Sequence, residues 1–386
     1  MHRFMEKLLE GATVEWRKLG EVSEIKRGTS ITKKSVVTGK IPVIAGGRKP
    51  AYYHNKSNRD GQTIVIAGSG AYAGFVSWWE EPIYVSDAFT VKVESELLLQ
   101  KYCYYFLLNK QEQIHRLKSG SGVPHVYPRD IEPIQIPIPP LEVQREIVRI
   151  LDNFTELTAE LTAELTAELS ARRKQYSYYR DKLLDFSDED LGFRVEWKKL
   201  GEVAEYSRQR IGFEQLNADN YVGVDNLLQN REGKKESSNV PIKGKFTKYL
   251  PHDILIGNIR PYLKKIWYSD RIGGTNGDVL VIHPTADDVY PRYLYQVLAD
   301  EKFFSYNMKH AKGAKMPRGN KAKILEYPVP LPPLEKQKEI VAILDKFDTL
   351  TNSISEGLPH EIELRQKQYE YYRDLLLDFP KEESCA

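Results

Sequence analysis

Residues 136–158 read IPIPPLEVQREIVRILDNFTELT, and residues 329–351 read VPLPPLEKQKEIVAILDKFDTLT. The same text is written twice, 193 positions apart, and a second pair keeps that spacing: KQYSYYRDKLLDF at 174–186 and KQYEYYRDLLLDF at 367–379. Two matches at one spacing make the internal repeat secure and leave no insertion between them. VEWRKLGEVSEI at 14–25 likewise returns as VEWKKLGEVAEY at 195–206. Working outward, the segments at roughly 17–135 and 198–328 resemble each other little, so the order is variable, constant, variable, constant. MEKLLEGATVEW at 5–16 also echoes RDKLLDFSDEDLGFRVEW at 180–197, the tail of the first constant block. A chain that starts and ends on such tails predicts a cyclic, pseudo-twofold arrangement with neighbouring termini.

Each constant block opens on a proline pair, Pro139–Pro140 or Pro332–Pro333. Proline is favoured at a helix start because its missing N–H would find no partner there. No Gly or Pro follows from Leu141 to Leu184, a stretch of 44 residues that would run ~65 Å as one helix. Leu141, Ile147, Val148, Leu151, Phe154, Leu157 and Leu161 form an apolar stripe at helical spacing. The second block runs the same way from Leu334, with a kink or break expected at Gly357–Leu358–Pro359.

The variable segments alternate short β-rich runs with turn residues: KIPVIAGG (40–47), TIVIAG (63–68), PIYVSDAFTVKV (82–93), DILIGNIRPYL (253–263) and GDVLVIHP (277–284). Each closes on a helical run, LLLQKYCYYFLL (97–108) or YPRYLYQVLAD (290–300). The fold class is therefore mixed α/β: two globular domains alternating with two long helices, which pack as an antiparallel coiled coil. The boundaries expected are 1–140 and 188–333 for the domains, with the helices at 141–187 and 334–386.

Composition narrows the function. A formal charge of +2 over 386 residues permits nucleic-acid binding without demanding it. Two cysteines, Cys103 and Cys385, are too few for a disulfide framework and fit a reducing, cytoplasmic setting. No run approaches the ~18 apolar residues of a membrane span. Catalytic signatures are missing as well: there is no phosphate-binding GxxxxGK[ST] loop, no Asn/Asp-Pro-Pro-aromatic tetrapeptide of adenine methyltransferases, and no metal-ligating histidine spacing. AGSGAYAG (67–74) has the wrong spacing for a dinucleotide loop. Asp190, Glu196 and Lys198 mimic a Mg²⁺-dependent nuclease triad. Lys198, however, belongs to the second copy of VEW[RK]KL, where the first copy has Arg17 and no matching aspartate.

What remains are basic, aromatic and amide-rich loops at matching places in both variable segments: 46–60 and 117–130 in the first, 259–267 and 308–323 in the second. Lys and Arg contact phosphates, and Arg, Lys, Asn, Gln, Ser and Thr read base edges. The candidates for DNA contact in the first segment are Arg48, Lys49, Tyr52, Asn55, Lys56, Tyr72, Lys118, Ser119, Ser121 and His125. In the second they are Arg208, Arg210, Arg260, Tyr262, Lys264, Asn276, Lys309, Lys312, Lys315, Arg318 and Asn320.

The paired PPLExQxEIVxILDxF blocks, the KQYxYYRDxLLDF helix ends, and the stretches GKIPVIAGGRKPAYY, GFVSWW and DILIGNIRPYLKKI resemble the specificity subunit of type I restriction–modification enzymes. The resemblance covers essentially the whole chain, and the TAEL units at 158–161, 162–165 and 166–169 look like one subgroup of that family. It implies two target-recognition domains on double-stranded DNA and no catalysis by this chain. It also implies docking of two methyltransferase subunits, through which two restriction/translocase subunits join. S-adenosylmethionine, ATP and Mg²⁺ would belong to those partners. Under this reading the TAEL helix sets the distance between half-sites. Half-sites one DNA turn apart sit ~34 Å centre to centre, which leaves a gap of roughly six to seven base pairs. One TAEL unit adds ~6 Å of helix, and three units are expected to set about seven base pairs. Leu157, Leu161, Leu165 and Leu169 drift only ~40° per step and are expected to keep packing on one side. Two rivals stand beside this reading: a coiled-coil scaffold that binds proteins only, and a self-contained nuclease using Asp190, Glu196 and Lys198.

Overall fold

The computed structural model describes residues 3–187, 192–352 and 356–379. The chain divides into two compact units, one formed by residues 1–162 and 364–386, the other by 163–363.

The first unit is built on a four-stranded antiparallel sheet in the order Ser23–Arg27, Ala88–Val93, Thr63–Ala67, Val76–Trp79. Thr63–Ala67 is buried along its whole length. Successive side chains of a strand point to opposite faces, so this strand serves two cores. Ile64 and Ile66 join the main core, while Val65 packs with Ile44, Ile83, Val85 and Ala88 in a smaller one. Each such buried aliphatic contributes about 1.5–3 kcal/mol. A three-stranded sheet, Tyr52–His54, Thr38–Ile44, Tyr84–Val85, lies over the smaller core, and a ribbon pairs Glu15–Lys18 with Gln135–Ile138. The second unit repeats the plan. Its four-stranded sheet runs Ala204–Tyr206, Val279–Pro284, Ile254–Gly257, Ile266–Tyr268, and its ribbon pairs Glu196–Lys199 with Pro328–Leu331. Ile254 and Ile256 face the main core and Leu255 the smaller one. The three-stranded sheets differ: Thr38–Ile44 and Tyr84–Val85 are parallel, whereas Arg210–Gly212, Lys245–Tyr249 and Gly273–Thr275 are all antiparallel.

One helix runs unbroken from Leu141 to Leu183 over 43 residues, as expected. The second constant block is interrupted where the break at Gly357–Leu358–Pro359 is expected. It forms Leu334–Asn352 and Leu358–Leu376, and Pro359 takes a place in the first turn of the latter. Proline is tolerated there and not in a helix interior. The division into units departs from the expected boundaries, because the long helix is shared by both units. Its start buries Val143, Ile147 and Leu151 in the first unit's core, and near its end Tyr176, with Leu184 just beyond it, is buried in the second's.

Within the first unit, Phe154 stacks on Tyr372 at 5.2 Å and Thr155 Oγ1 donates to Tyr369 Oη at 3.1 Å. Within the second, Tyr176 and Tyr179 stack on Phe347 at 5.9 and 5.4 Å. The expected meeting of chain ends is present in the first core, where Met5 and Leu9 pack with Leu376, Leu377 and Phe379. Of the TAEL-stripe leucines, Leu161, Leu165 and Leu169 are half-buried but Leu157 is 51% exposed. The accumulated drift of a four-residue repeat carries one end off the packed side, where Phe154 already fills the seam.

The repeated glutamine of PPLExQxEIV fastens each long helix to its domain. Gln144 Nε2 donates to the Leu97 and Pro139 carbonyls, each at 2.7 Å, and its Oε1 accepts from Leu99 N at 2.9 Å. Gln337 does the same with Asp288 O, Pro332 O and Tyr290 N at 2.9, 2.9 and 2.8 Å. Both side chains are fully buried. A buried amide is retained only when its donors and acceptor are satisfied, which these bonds achieve.

Candidate nucleic-acid interface

In each unit the loop leaving the central strand meets a hairpin that precedes the constant block. In the first, Ser119 and His125 exchange backbone hydrogen bonds at 2.9 and 2.8 Å, closing a hairpin. Gly70 N donates to Pro124 O at 2.9 Å and Val126 N to Gly68 O at 3.1 Å, fastening it to the strand loop. In the second, Lys312 and Arg318 exchange bonds at 2.9 and 2.8 Å, Arg260 N donates to Pro317 O at 2.7 Å, and Gly319 N to Asn258 O at 3.1 Å. The hairpins are 193 positions apart and bond for bond the same. Gly120 and Gly313 take the same left-handed turn, at φ 111° and 100°. The variable segments thus share one backbone device under unlike side chains.

The first tip gathers three stretches. Gly46 lies so close to the strand loop that a Cβ there would stand 2.3 Å from Ser69 O. That approach brings the Arg48 guanidinium 4.9 Å from the Tyr72 ring centroid and 5.4 Å from Phe75. Lys118 Nζ donates to Ala71 O at 3.0 Å. Arg48, Lys49, Tyr72, Ser119 and Ser121 are exposed around this cluster. His125 is turned inward: its ring stacks on Tyr127 at 5.7 Å, and its buried Nδ1 has no hydrogen-bond partner among the described residues. Asn55 and Lys56 are exposed but sit beside Gly39, at the opposite end of the hairpin whose turn carries Arg48, and half-buried Tyr52 belongs to the strand between.

The second tip is more basic. Arg260 and Lys264 occupy the positions of Gly70 and Gly74 and keep their left-handed backbone, at φ 51° and 52° against 83° and 82°. Left-handed geometry costs a side-chain-bearing residue roughly 1–2 kcal/mol that glycine escapes. Strain of this kind persists where the surrounding structure enforces it and clusters at functional sites. Arg260 is exposed; Lys264 reaches Glu301 at 2.8 Å. Tyr262, 48% exposed, stands where the first tip has Tyr72, 43% exposed. Lys309, Lys312 and Lys315 are exposed, and Arg318 donates to Asp278 at 3.2 Å.

Two asparagines have backbone work. Asn320 Oδ1 caps the helix Lys321–Leu325 by accepting from Ala322 N and Lys323 N. Asn276 Oδ1 accepts from Asp278 N at 3.1 Å and holds the turn before the strand. Arg208 lies in the connection between Ala204–Tyr206 and Arg210–Gly212, and Arg210 belongs to the three-stranded sheet, where it donates to Thr247 Oγ1 at 3.2 Å. The hairpins fall in the matched loops 117–130 and 308–323, but the equivalence of the strand loops went unread, since composition matches 259–267 to 46–60 instead of to 67–74. Its trace is the pair TIVIAGSGAY (63–72) and DILIGNIRPY (253–262), in which a buried strand is followed at one distance by tyrosine.

Of the nuclease lookalike, Asp190 lies outside the described residues. Lys198 is engaged by Asp288 at 2.7 Å, which raises its pKa, and lies 3.6 Å from Glu196. Among the described residues no group of three or more His, Cys, Asp or Glu could hold a metal ion. No helix described is long and apolar enough to cross a membrane.

Two α/β domains carrying equivalent loop tips and joined through long helices define a two-site recognition protein, and comparison with known proteins agrees. The chain matches the type I restriction modification DNA specificity domain over residues 12–171 and again over 194–364, and it belongs to that family. It is 32% identical to the EcoR124I/EcoR124II specificity subunit of Escherichia coli, covering 99% of this chain and 98% of that one. A putative specificity subunit of Haemophilus influenzae is 33% identical, with 97% and 98% covered. The fold matches the S subunit of a type I system from M. genitalium (TM-score 0.50, 19% identity, 96% of this chain and 98% of that one). It also matches a chain from a type I restriction–modification assembly (TM-score 0.63, 17% identity, 96% and 98% covered). The chain is thus a specificity subunit, the non-catalytic recognition component of a type I restriction–modification complex.

Proposed function

We propose that the two loop tips read the two halves of a split, asymmetric double-stranded DNA target, and that the TAEL helix holds those halves about seven base pairs apart. The observation that carries this reading is the pairing of the tips: one backbone device, hydrogen-bonded identically in both units, presents different side chains. Arg48, Lys49, Lys118, Ser119 and Ser121 serve one half, and Arg260, Tyr262, Lys264, Lys309, Lys312, Lys315 and Arg318 the other. The lysines would fix register on phosphates while Arg and Ser side chains read base edges. The ruler draws support from the place where the chain passes between units, between Thr162 and Ala163, inside the second TAEL repeat. Two methyltransferase subunits dock on the long helices, restriction/translocase subunits join through them, and S-adenosylmethionine, ATP and Mg²⁺ reside on those partners.

Methylome sequencing of cells carrying this chain with its cognate methyltransferase tests the reading, with a variant lacking one TAEL unit beside it. The expected result is a bipartite methylated motif whose gap shortens by one while both halves stay fixed. A continuous motif, or a gap indifferent to the deletion, sinks the ruler. Absence of any added methylation, with the complex assembled, favours a scaffold that does not bind DNA.

A further inference from the structure

At the outermost turn of each hairpin stands an apolar residue that its own domain leaves half-exposed. Val123 is 56% exposed in the first and Met316 is 50% exposed in the second. The two are 193 positions apart and occupy the same place in identically bonded hairpins. Each follows the left-handed glycine, Gly120 or Gly313, and precedes the proline, Pro124 or Pro317, whose carbonyl accepts from the strand loop. Glycine before and proline after fix the backbone of the turn, so the Cα–Cβ bond of the projecting residue is held outward. The other exposed side chains about the tips are hydroxyls, cations, the Tyr72 and Tyr262 rings and the small Ala71 and Ala314, so Val123 and Met316 are the large aliphatic groups there. An apolar group at the centre of such a polar loop gains nothing in water, and its recurrence in both domains asks for an apolar partner.

We infer that Val123 and Met316 are specificity-determining residues, each of which packs on the C5-methyl group of a thymine in the half-site read by its domain. The inference rests on the proposed DNA reading. In the major groove every hydrogen-bonding edge group is polar, and the thymine methyl is the one apolar feature a base pair presents there. An aliphatic tip on a loop that enters the groove is suited to that group, and in the second hairpin Lys312, Lys315 and Arg318 stand about it for phosphates. Each half-site therefore contains at least one A·T pair whose methyl is read. Met316, longer and more pliable than Val123, reaches further from its hairpin.

The test is binding of the purified complex of this chain with its cognate methyltransferase to duplexes carrying its methylated motif. Each thymine is replaced in turn by uracil, which removes only the methyl. One uracil in the second half-site should weaken binding about four-fold, the worth of one methyl group taken from water. Met316→Ala should weaken binding to the thymine duplex and abolish the difference between thymine and uracil, while Met316→Leu restores it. Val123→Ala should act in the same way on the first half-site alone. If every uracil duplex binds as the thymine duplex does, or if the motif has no thymine on either strand of a half-site, the assignment is overturned while the split-target reading stands. Sensitivity to uracil that survives Met316→Ala overturns it too. A complex that prefers no sequence at all defeats the DNA reading itself.

Discussion

The two tips have the same hydrogen bonds and opposite fillings. Beneath the first hairpin the space is apolar, with Val126 and Ile114 buried in the main core. At the same positions the second has Gly319 and Asn307, and buried Asn258 faces them from the strand loop. The first tip uses glycine wherever its backbone turns left-handed; the second has cations at two of those positions. The first exposes Ser119 and Gly122 where the second exposes Lys312 and Lys315. A backbone whose bonds run only between main-chain groups leaves the outward side chains uncommitted. Under the proposed reading, such a scaffold would let the recognised sequence change without being rebuilt.

The sharpest way to break this comparison is to fill the second hairpin as the first is filled. A Cβ on Gly319 would lie 2.5 Å from Asn307 Oδ1 and 2.8 Å from Asn258 Oδ1. Gly319→Val should cost about 1–3 kcal/mol by overpacking and abolish methylation dependent on the second half-site. Adding Asn307→Ile should recover part of the stability, as a denaturant melt would report. Recovery would show that the two fillings are interchangeable solutions to one space.

The glutamine clamp gives the next effect. Gln337→Ala leaves Tyr290 N–H and two carbonyls without their partner, at about 1–3 kcal/mol for each buried group abandoned. Gln144→Ala should match it in the first domain. Unequal losses in thermal unfolding would mean that the repeated motif does unequal work.

Charge distinguishes the tips more gently. Lys312→Ala with Lys315→Ala should lower the salt slope of DNA binding by about two, an affinity loss of roughly ten-fold at 50 mM salt relative to 200 mM. The loss should be nearly uniform across target sequences. Ser119→Lys, at the position equivalent to Lys312, should raise the slope by about one.

Left-handed backbone supplies a change whose stability and recognition effects have opposite signs. Arg260→Gly should leave the fold as stable or up to about 1 kcal/mol more so while weakening recognition of the second half-site. Gly70→Ala has open space around it, its nearest neighbour being Gly46 O at 4.0 Å, and should cost about 1 kcal/mol from backbone strain alone. Cys103 gives the smallest effect: burial pushes its thiol up to about 12, so it should resist alkylation by iodoacetamide at pH 8 until the domain unfolds.

The constant blocks were legible in the sequence because packing and hydrogen bonding act on the same residues in both copies. The proline pair, the clamp glutamine and the stacked tyrosines all recur. The shared topology of the variable segments was not legible, since a strand core accepts any mixture of Val, Ile and Leu and leaves only a faint pattern behind. Of the candidate residues, Arg48, Tyr72, Arg260 and Tyr262 lie at the tips. Asn320 and Asn276 illustrate why composition misleads: the amide oxygen that would suit a base edge is equally suited to a helix N-terminus or a turn. Asn55 and Lys56 were near Arg48 in sequence, but strand pairing carried them to the far end of their hairpin. Leu157 left its stripe because a four-residue repeat on a 3.6-residue helix is a slow spiral.

That spiral has a consequence for any change in the number of TAEL units. In an unbroken helix, four inserted residues are a screw motion: everything beyond them advances ~6 Å and also turns ~40°. One base-pair step of B-DNA turns about 35° and advances ~3.4 Å. The rotation of one repeat therefore comes close to the rotation of one base pair, and the mismatch lies in the translation. An insertion of three residues would instead turn the helix back by ~60° and put everything beyond it out of phase with the duplex. Under the proposed ruler, an insertion of four would change the gap while keeping what lies beyond it close to the phase of the duplex.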